Sequence, residues 1–444
     1  VLAEAAMDAL FLSYADTKLA AEVLLTHFES APHANLPCMR EDGSYNMVAD
    51  DGQICGTAPE WGYPLWIADQ FWSRTGNLAW LKRLYPGAAA FLRWWLEHRC
   101  DAEGWEIYGC SWESGQDVSS RFGPQQTGGT IIQHLRPVDL QASIAQSAAI
   151  LASWAELLSP THTDATLPNP YPADIAFWQE IANEFTAKTR FMWRDGWFRD
   201  YDSVRQIWSS ERDAMHLAPI FCGVADQGQI EQLRKALAEP PRHSSQWAPL
   251  SWPPVVMTLI GATAAADMPQ EAAELAYRFI DASYRSTDSR ELDEQGGLPG
   301  VTREYRRAIT RGKWGEMDYV NAGIEGYGWG ALSVHLLFRH LLGLRADNAQ
   351  QFTIAPCLPT RLRVPNTTYS VERLNWGAYL LDLSCQVTSP TTYRLQLTCQ
   401  PQAKQADLTT EQTAEQPSET YQCICEGTWG QAHALILPQL TIVA

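Results

Sequence analysis

The first three quarters of the chain repeat apolar residues at the three-to-four-residue spacing of amphipathic helices. Asp16-Thr17 interrupts the first such run, residues 3–29, and so divides it into two helices. Pro86 is expected to begin a second part of the run Leu78–His98, because proline is favoured in the first turn of a helix. The other predicted helices are Trp61–Trp72, Asp139–Leu158, Pro172–Trp193, Leu217–Cys222, Gln227–Leu237, Pro254–Ala265, Gln270–Tyr284 and Ala322–Leu342.

From about Ala346 the apolar period changes to two, which is typical of β-strands. The predicted strands are Gln351–Ile354, Tyr379–Val387, Thr392–Leu397, Ala434–Leu437 and Thr441–Val443. We therefore predict a mostly α fold, a helical toroid over residues 1–345, followed by an antiparallel β-sandwich over residues 346–444. A helical solenoid is the alternative, but no sequence repeat of fixed period supports it. Val1 lies inside a helical pattern, so we expect that the native N-terminus has been trimmed.

Composition narrows the classes of partner. A net charge of −18 argues against nucleic acid and against anionic membrane surfaces, because both need clustered Lys and Arg. The absence of a long apolar run predicts a soluble protein with no membrane-spanning helix, and gives no compartment. The ten Cys are mostly scattered and form no zinc-like pattern with His, so we predict no metal and no cofactor. Nineteen Trp residues are typical of a chain that lines a sugar or peptide cleft, or of a large aromatic core.

The stretch Trp112–Phe122 carries the most suggestive chemistry. It places two carboxylates, Glu113 and Asp117, four residues apart, with a glycine and serines around them. Gly and Ser weaken helices, so the stretch reads as a sharply turning loop that holds a carboxyl group against an aromatic wall. Its alternative is a helix start with Ser114 or Asp117 as the N-cap.

Four segments together resemble one group of enzymes. They are Glu113–Phe122 (an E-S-G-x-D-x-S-x-R-[WF] pattern), Arg136–Ala142 (P-V-D-L-x-A), Gln246–Trp252 (W-A-P-L-x-W) and Gly326–Ala331 (G-x-G-W). Their sequence and order resemble the inverting (α/α)6-barrel glycosidases of the trehalase group, family 37, and of the processing α-glucosidase group, family 63. The resemblance implies an (α/α)6 toroid and a small carbohydrate substrate.

The resemblance also implies the catalytic residues. Asp117 matches the general acid of the group, and Glu304, in Thr302-Arg303-Glu304-Tyr305, best matches the general base. Glu316 and Glu325 lie nearer to Trp329 and are the rival bases. An inverting enzyme keeps its two carboxyl groups about 6.5–9.5 Å apart, which leaves room for the attacking water. Asp117 must stay protonated, which the apolar surfaces of Trp112 and Phe122 would favour.

Candidate substrate-binding residues surround these two acids. Flat aromatic rings grip the C–H faces of sugars, whereas the hydroxyls need paired donors and acceptors. Trp252 and Trp329 have the barrel core as their alternative, Arg121 is expected to fix Glu113 or Asp117, and Asp139 either binds a sugar hydroxyl or caps its helix. The full set is Trp61, Trp112, Glu113, Arg121, Asp139, Trp247, Trp252, Tyr327 and Trp329.

We therefore predict an inverting, exo-acting α-glycosidase of α-glucosidase type. Trehalases carry an arginine-bearing R-S-Q-P-P segment where this chain has Gly56–Trp61, which disfavours trehalose as the substrate. The alternatives are a mannosyl- or glucosylglycerate hydrolase, a trehalase-like enzyme and, from another class, an inactive carbohydrate-binding protein. A sugar epimerase is a further alternative, but no matching pair of histidines supports it. The oligomeric state is not predicted.

Overall fold

A computed structural model of the protein describes residues 2–40, 42–117, 119–123, 127–162, 169–238, 252–284, 305–311, 316–322, 328–348, 350–402, 420–437 and 441–443. Eleven α-helices lie in these ranges, and most of them coincide with predicted helices. They are α1 (Leu2–Leu12), α2 (Thr17–Glu29), α3 (Pro64–Thr75), α4 (Leu78–His98), α5 (Val138–Leu158), α6 (Tyr171–Phe191), α7 (Ala218–Phe221), α8 (Gln227–Ala238), α9 (Pro253–Ala265), α10 (Pro269–Tyr284) and α11 (Leu332–Leu336). Five two-residue strands lie between α4 and α7 in these ranges: β1 (Leu135–Arg136), β2 (Trp193–Arg194), β3 (Trp197–Phe198), β4 (Tyr201–Asp202) and β5 (Ile207–Trp208).

Local chemistry explains where the first helices begin. The Asp16 side chain accepts a hydrogen bond of 2.9 Å from the amide of Leu19, so Asp16 caps α2 and the predicted division of residues 3–29 is confirmed. Helix α3 begins at Pro64, later than predicted, because Tyr63 takes a left-handed conformation with φ 49°. Gly76, with φ 62°, ends α3 in the same backbone region, which glycine adopts without strain.

Pro86 does not divide α4, so this prediction was wrong. The helix continues through Pro86 from Leu78 to His98. Its buried face, which includes Trp80, Phe91 and Trp95, runs along the whole helix. The burial of this face offsets the lost backbone hydrogen bond of an internal proline, which costs about 3 kcal/mol or more.

Helix α5 is the most buried long helix among the described residues. Residues on all of its sides are buried, as its alanine-rich composition allows. Trp154 of α5 donates a 3.0 Å hydrogen bond from its indole N–H to Asp69 of α3, which ties the two helices together. This bond fixes the C-terminal part of α5, whereas its N-terminus, at Val138, contributes to the site below.

The predicted helix Ala322–Leu342 is wrong at its start and is not a regular α-helix throughout. Ala322 ends a strand, β7 (Glu316–Ala322), which pairs in an antiparallel hairpin with β6 (Tyr305–Arg311). Among the described residues after Ala322, a 3₁₀ turn, Gly328–Ala331, leads into α11 and then into a π-helical turn, Leu337–Leu341. Gly328 and Gly330 disfavour the α-helix in this segment.

The C-terminal part consists of two four-stranded antiparallel sheets, as predicted. Phe352 of one sheet and Trp376 of the other pack in a tilted arrangement, with ring centroids 5.5 Å apart, in an apolar core that both sheets share. The sheet orders are β10-β11-β12-β13 and β15-β14-β9-β8. Their strands are β8 (Leu344–Asn348), β9 (Gln351–Ile354), β10 (Thr368–Trp376), β11 (Tyr379–Ser389), β12 (Thr392–Pro401), β13 (Tyr421–Thr428), β14 (His433–Ile436) and β15 (Thr441–Val443).

These sheets pack closely against the helices. A Cβ on Gly377 would lie 2.5 Å from the carbonyl oxygen of Arg74, so only glycine fits at this contact. The Arg74 guanidinium lies 5.8 Å from the ring centroid of Trp376. The division of the chain near residue 345 stays a prediction. None of the described helices combines the length and the apolar character needed to cross a membrane.

Candidate active site

The stretch Trp112–Phe122 forms a loop rather than a helix start. Two short 3₁₀ turns, Ser111–Ser114 and Ser120–Phe122, flank Gly115, whose φ is 67°. A Cβ on Gly115 would lie 1.8 Å from the indole carbon Cε3 of Trp61. Glycine is therefore required here for two reasons: the backbone has a positive φ, and the Trp61 ring leaves no space for a side chain.

Trp61 connects this loop to the Gly-Trp segment. Its ring meets Trp329 edge-on, with centroids 6.2 Å apart and an interplanar angle of 83°. Both rings are buried in the main apolar core. Two of the four segments that carry the family resemblance are thus held together by one tryptophan. The contacts of Trp61 and Trp329 are those of core residues, and their predicted role on the sugar stays a prediction.

The Glu113 side chain is fully buried and acts as a framework group. Arg99 donates to it from Nε, at 3.1 and 2.9 Å, and from Nη2, at 2.7 Å. The backbone amides of Gly56 and Gly109 also donate to it, at 3.1 and 2.7 Å. Glu113 thereby joins three loops around the catalytic stretch, and these contacts favour a positioning role over direct contact with a sugar.

Arg121 holds the opposite end of the loop. Its five guanidinium N–H groups bond to Asp139 (2.7 and 2.7 Å), Asp200 (3.0 and 3.3 Å) and Gln116 (2.8 Å). The sequence predicted Glu113 or Asp117 as the partner of Arg121, so this pairing was missed. Asp139 lies in the first turn of α5 after Pro137, and its carboxylate is committed to Arg121.

Asp200 is the second acid of this buried cluster. It accepts a 2.9 Å hydrogen bond from the amide of Val138, at the N-terminus of α5, and faces Nε2 of His216 at 3.1 Å. Burial alone would raise the pKa of Asp200, but Arg121 and His216 outweigh it and hold the pKa below its usual value. Asp200 therefore carries a negative charge that fixes the loop on α5.

Two further contacts complete the framework. Gln116 donates a 3.0 Å hydrogen bond to Asp213, which caps the 3₁₀ turn Ala214–Leu217. Nδ1 of His216 accepts from the amide of Asp213 and from the indole of Trp197, both at 3.3 Å. The proton of this imidazole thus sits on Nε2, towards Asp200. Each of these side chains is used to position the loop.

Asp117 is only partly buried, whereas Glu113, the other carboxylic acid of the loop, is fully buried. Its backbone carbonyl accepts a 2.8 Å hydrogen bond from the hydroxyl of Ser111, which fixes the main chain beneath the carboxyl group. Burial raises the pKa of Glu4 in α1, and the nearby carboxyl groups of Asp8 and Asp117 raise it further. Helix α1 thus lies beside the candidate general acid.

The same helix contacts the Gly-Trp segment. A Cβ on Gly328 would lie 2.5 Å from Oδ1 of Asp8. The structure therefore brings three parts of the chain together at one place: helix α1, the loop that carries Asp117, and the turn that carries Trp329. These parts are distant in sequence, and the resemblance had linked only the last two.

The remaining predicted aromatic residues have different surroundings. Trp112 is half-buried beneath two glycines, and a Cβ on Gly128 would lie 2.0 Å from its indole Nε1. Trp252 is also half-buried, at the N-cap of α9, where its extended backbone precedes Pro253. Partial exposure leaves both rings with surface that a sugar face could cover.

Several predicted residues cannot be placed. Trp247, Glu304 and Tyr327, and the rival base Glu325, lie outside the described residues. Glu316 begins strand β7, where it pairs across the hairpin with Arg311. The identity of the base, and the separation of the two catalytic carboxyl groups, therefore stay predictions.

The sequence analysis did not select two residues that lie beside the buried side chains of Glu113 and Arg121. Arg99, the partner of Glu113, carries no local signal because it ends an ordinary helical run. Glu60 is buried, and its Oε1 has no hydrogen-bond partner among the described residues. Burial and then Asp139 raise the pKa of Glu60 well above its usual value. The position of Glu60 between Pro59 and Trp61, in an apolar segment, could have indicated a buried acid in the sequence.

Metal ligation finds no support among the described residues, where no group of three or more His, Cys, Asp or Glu side chains is placed to hold an ion. The arrangement offers instead a partly exposed carboxyl group on a rigid loop, beside aromatic rings. Such a group can protonate a leaving oxygen without help from a cofactor. The prediction that no cofactor is used stays a prediction.

Comparison with known proteins now identifies the family. Residues 3–258, more than half of the chain, match the model of the mannosylglycerate hydrolase MGH1-like glycoside hydrolase domain. The chain belongs to this family. It is a glycoside hydrolase, and the resemblance to the family 63 and family 37 group is confirmed. No curated protein matches the chain.

Solved structures of this MGH1-like family and its neighbours agree in fold. The family 63 mannosylglycerate hydrolase of Thermus thermophilus, in complex with glucose, is 17% identical, with a TM-score of 0.56 over 76% of this chain and 91% of that one. The neutral trehalase Nth1 of Saccharomyces cerevisiae is 17% identical, with a TM-score of 0.50 over 76% of this chain and 70% of that one. At such identities the likeness concerns the fold.

Proposed function

We propose that this glycoside hydrolase is an inverting, exo-acting α-glycosidase of α-glucosidase type. Its substrate would be a small α-glucoside or the end of an oligosaccharide. Helices α1 to α11 would form an (α/α)6 toroid, residues 1–345, whose long loops enclose a pocket, with residues 346–444 as a separate β-sandwich domain. A pocket favours exo action because only the end of a chain can enter it.

The contacts of the polar side chains in the loop Trp112–Phe122 support this proposal most directly. Glu113 is bound by Arg99, Arg121 by Asp139 and Asp200, and Gln116 by Asp213. Asp117 is the acidic residue of the loop that remains partly exposed. A rigid loop that presents one carboxyl group at a surface is what general acid catalysis requires, because the proton must be delivered at a fixed position.

The choice of sugar has a second candidate. The family description and the relative from Thermus thermophilus both name mannosylglycerate hydrolase, and a further structure of that relative contains Tris and D-glycerate. An α-glycosyl glycerate is therefore the alternative substrate. Both candidates share the chemistry proposed for Asp117 and Glu304, and differ in the group that leaves.

Stereochemistry tests the reaction class. We expect NMR of the first-formed product to show the β-anomer from an α-linked substrate, because water attacks opposite the leaving group in an inverting enzyme. The panel should contain α-linked glucose disaccharides, trehalose, mannosylglycerate and glucosylglycerate. The tested compound that reacts fastest identifies the leaving group. First formation of the α-anomer would refute inversion, and internal cleavage of oligosaccharides would refute exo action.

The identity of the base has its own test. We expect Glu304→Gln to lower kcat by about 10²–10⁴-fold, because glutamine cannot accept the proton of the attacking water. Glu316→Gln, a matched change at the start of β7, should leave kcat within about twofold. Steady-state kinetics on the best substrate measures both. The assignment fails if Glu316→Gln shows the large loss and Glu304→Gln does not.

A further inference from the structure

A second cavity lies away from the catalytic loop, where the helices meet the C-terminal sheets. Its volume is about 320 Å³, and none of the residues that line it belongs to Trp112–Phe122. Its walls come from α3, α9, the π-helical turn Leu337–Leu341 and the start of β8. Cavities of this size are at the lower end of the range that small-molecule ligands occupy.

The charges around this cavity have one dominant sign. Two arginines, Arg339 and Arg345, line it, together with His335 and His340, which carry none of this charge. Asp267 is the one carboxylate among the lining residues that the structure describes, and it is exposed and lies 3.9 Å from Arg234. The cavity is therefore positively charged, although the whole chain carries a net charge of −18.

Arg339 carries the main part of this charge. Nη1 donates a 2.9 Å hydrogen bond to Gln70, and the guanidinium lies 5.7 Å from the ring centroid of Trp66. These two residues hold Arg339 against α3 without neutralising it, and no described carboxylate lies within ion-pair distance. Burial lowers the pKa of Arg339 to about 10, and Arg345 adds to this effect. A half-buried positive charge that has no described carboxylate within ion-pair distance gains from binding an anion.

The backbone here also departs from regular helix. Leu337–Leu341 forms a π-helical turn directly after α11, and it carries both Arg339 and His340. A wide turn of this kind allows neighbouring residues to face the same cavity, and such turns are frequent at functional sites. The turn is an observation independent of the charge.

Two imidazoles complete the lining. Their ring centroids lie 6.4 Å apart, and Nδ1 of His335 is 3.2 Å from the hydroxyl of Tyr14. Burial lowers the pKa of His335, and that of His340 to about 3, so both rings are neutral in the empty cavity. A neutral imidazole still has one N–H to donate, which suits an oxyanion.

We propose that this cavity is a binding site for a small anionic metabolite that bears a carboxylate or phosphate group. The planar guanidinium of Arg339 would bind two oxygens of that group, and Arg345 would close the ring of donors at the mouth. The site does not depend on the proposed roles of Asp117 and Glu304. Because the cavity joins the helices to the sheets, an occupant would also stabilise their contact.

Calorimetric titration of the full chain tests the site. Inorganic phosphate and lactate serve as the phosphate and carboxylate probes, at constant ionic strength set with chloride. We expect saturable binding of at least one probe and a rise in Tm with its concentration. The probe that binds more tightly identifies the class of anion. Absence of saturable binding by both probes would overturn the proposal.

Variants locate the binding. Arg345→Gln, at an exposed position, should weaken binding at least about tenfold, and Arg339→Gln should abolish it, because each removes a charged donor. Arg83→Gln, which removes an exposed arginine paired with Glu29, is the control and should bind as the unchanged protein does. If Arg339→Gln does not fold, Arg345→Gln decides the matter. Unchanged affinity in Arg345→Gln would place the anion elsewhere and refute the proposal.

Discussion

The Asp117→Asn variant is expected to fold normally and to lose about 10³-fold in kcat on a substrate with a sugar leaving group. Asparagine has nearly the same shape as aspartic acid but cannot protonate the departing oxygen. The substitution leaves in place the backbone carbonyl of residue 117, which accepts from Ser111, so the loop should keep its position. Steady-state kinetics and Tm measure the two parts of this expectation.

A change of leaving group separates acid catalysis from positioning. A glycosyl fluoride needs little protonation, since fluoride leaves as a stable anion, so Asp117→Asn should retain most of its activity on that substrate. Asp195→Asn provides the matched control. Asp195 is exposed, and its φ of 50° is one that asparagine adopts readily. Equal losses on the fluoride and on the natural linkage would show that Asp117 positions the substrate and does not donate the proton.

How far the fold could be predicted depended on whether the determining contacts were local. Asp16 caps α2 through a residue three positions away, and the strands of the sheets follow their own alternation. Both features are visible in a short window of sequence. Pro86 and the segment Ala322–Leu342 were misjudged because tertiary packing overrides local preference. The buried face of α4 carries the helix through its proline, and Ala322 pairs in a strand hairpin instead of beginning a helix.

In the candidate site, too, the locally determined features could be predicted and the tertiary contacts could not. The loop around Asp117 was predicted because glycine and serine are poor helix formers and because three other segments accompanied it in order. The residues that the loop contacts elsewhere in the chain were not predicted. Arg99 meets Glu113, and Arg121 meets Asp200, through contacts that only the folded chain brings about. The packing of the Trp61 ring on Gly115 is a further contact that no local pattern encodes.

The second large effect is expected at Arg121. Arg121→Met should lower the free energy of unfolding by about 3–5 kcal/mol, because it leaves two buried carboxylates without their counter-charge. Asp139 and Asp200 would each lose two hydrogen bonds to the guanidinium. His216 and the amide of Val138 would remain as partners of Asp200, so the folded state is weakened but not abolished. Urea denaturation measures the change.

Two further variants show whether the loss comes from the buried network. Arg121→Lys keeps the charge but lacks the planar fork that serves both acids, so its destabilisation should lie between those of the parent and Arg121→Met. Arg83→Met removes an exposed ion pair with Glu29 and should cost at most about 1 kcal/mol. If Arg121→Met cost no more than Arg83→Met, the buried pairs would not hold the loop. The rigidity proposed for Asp117 would then need another source, because Arg121 is the residue that joins its loop to the N-terminus of α5.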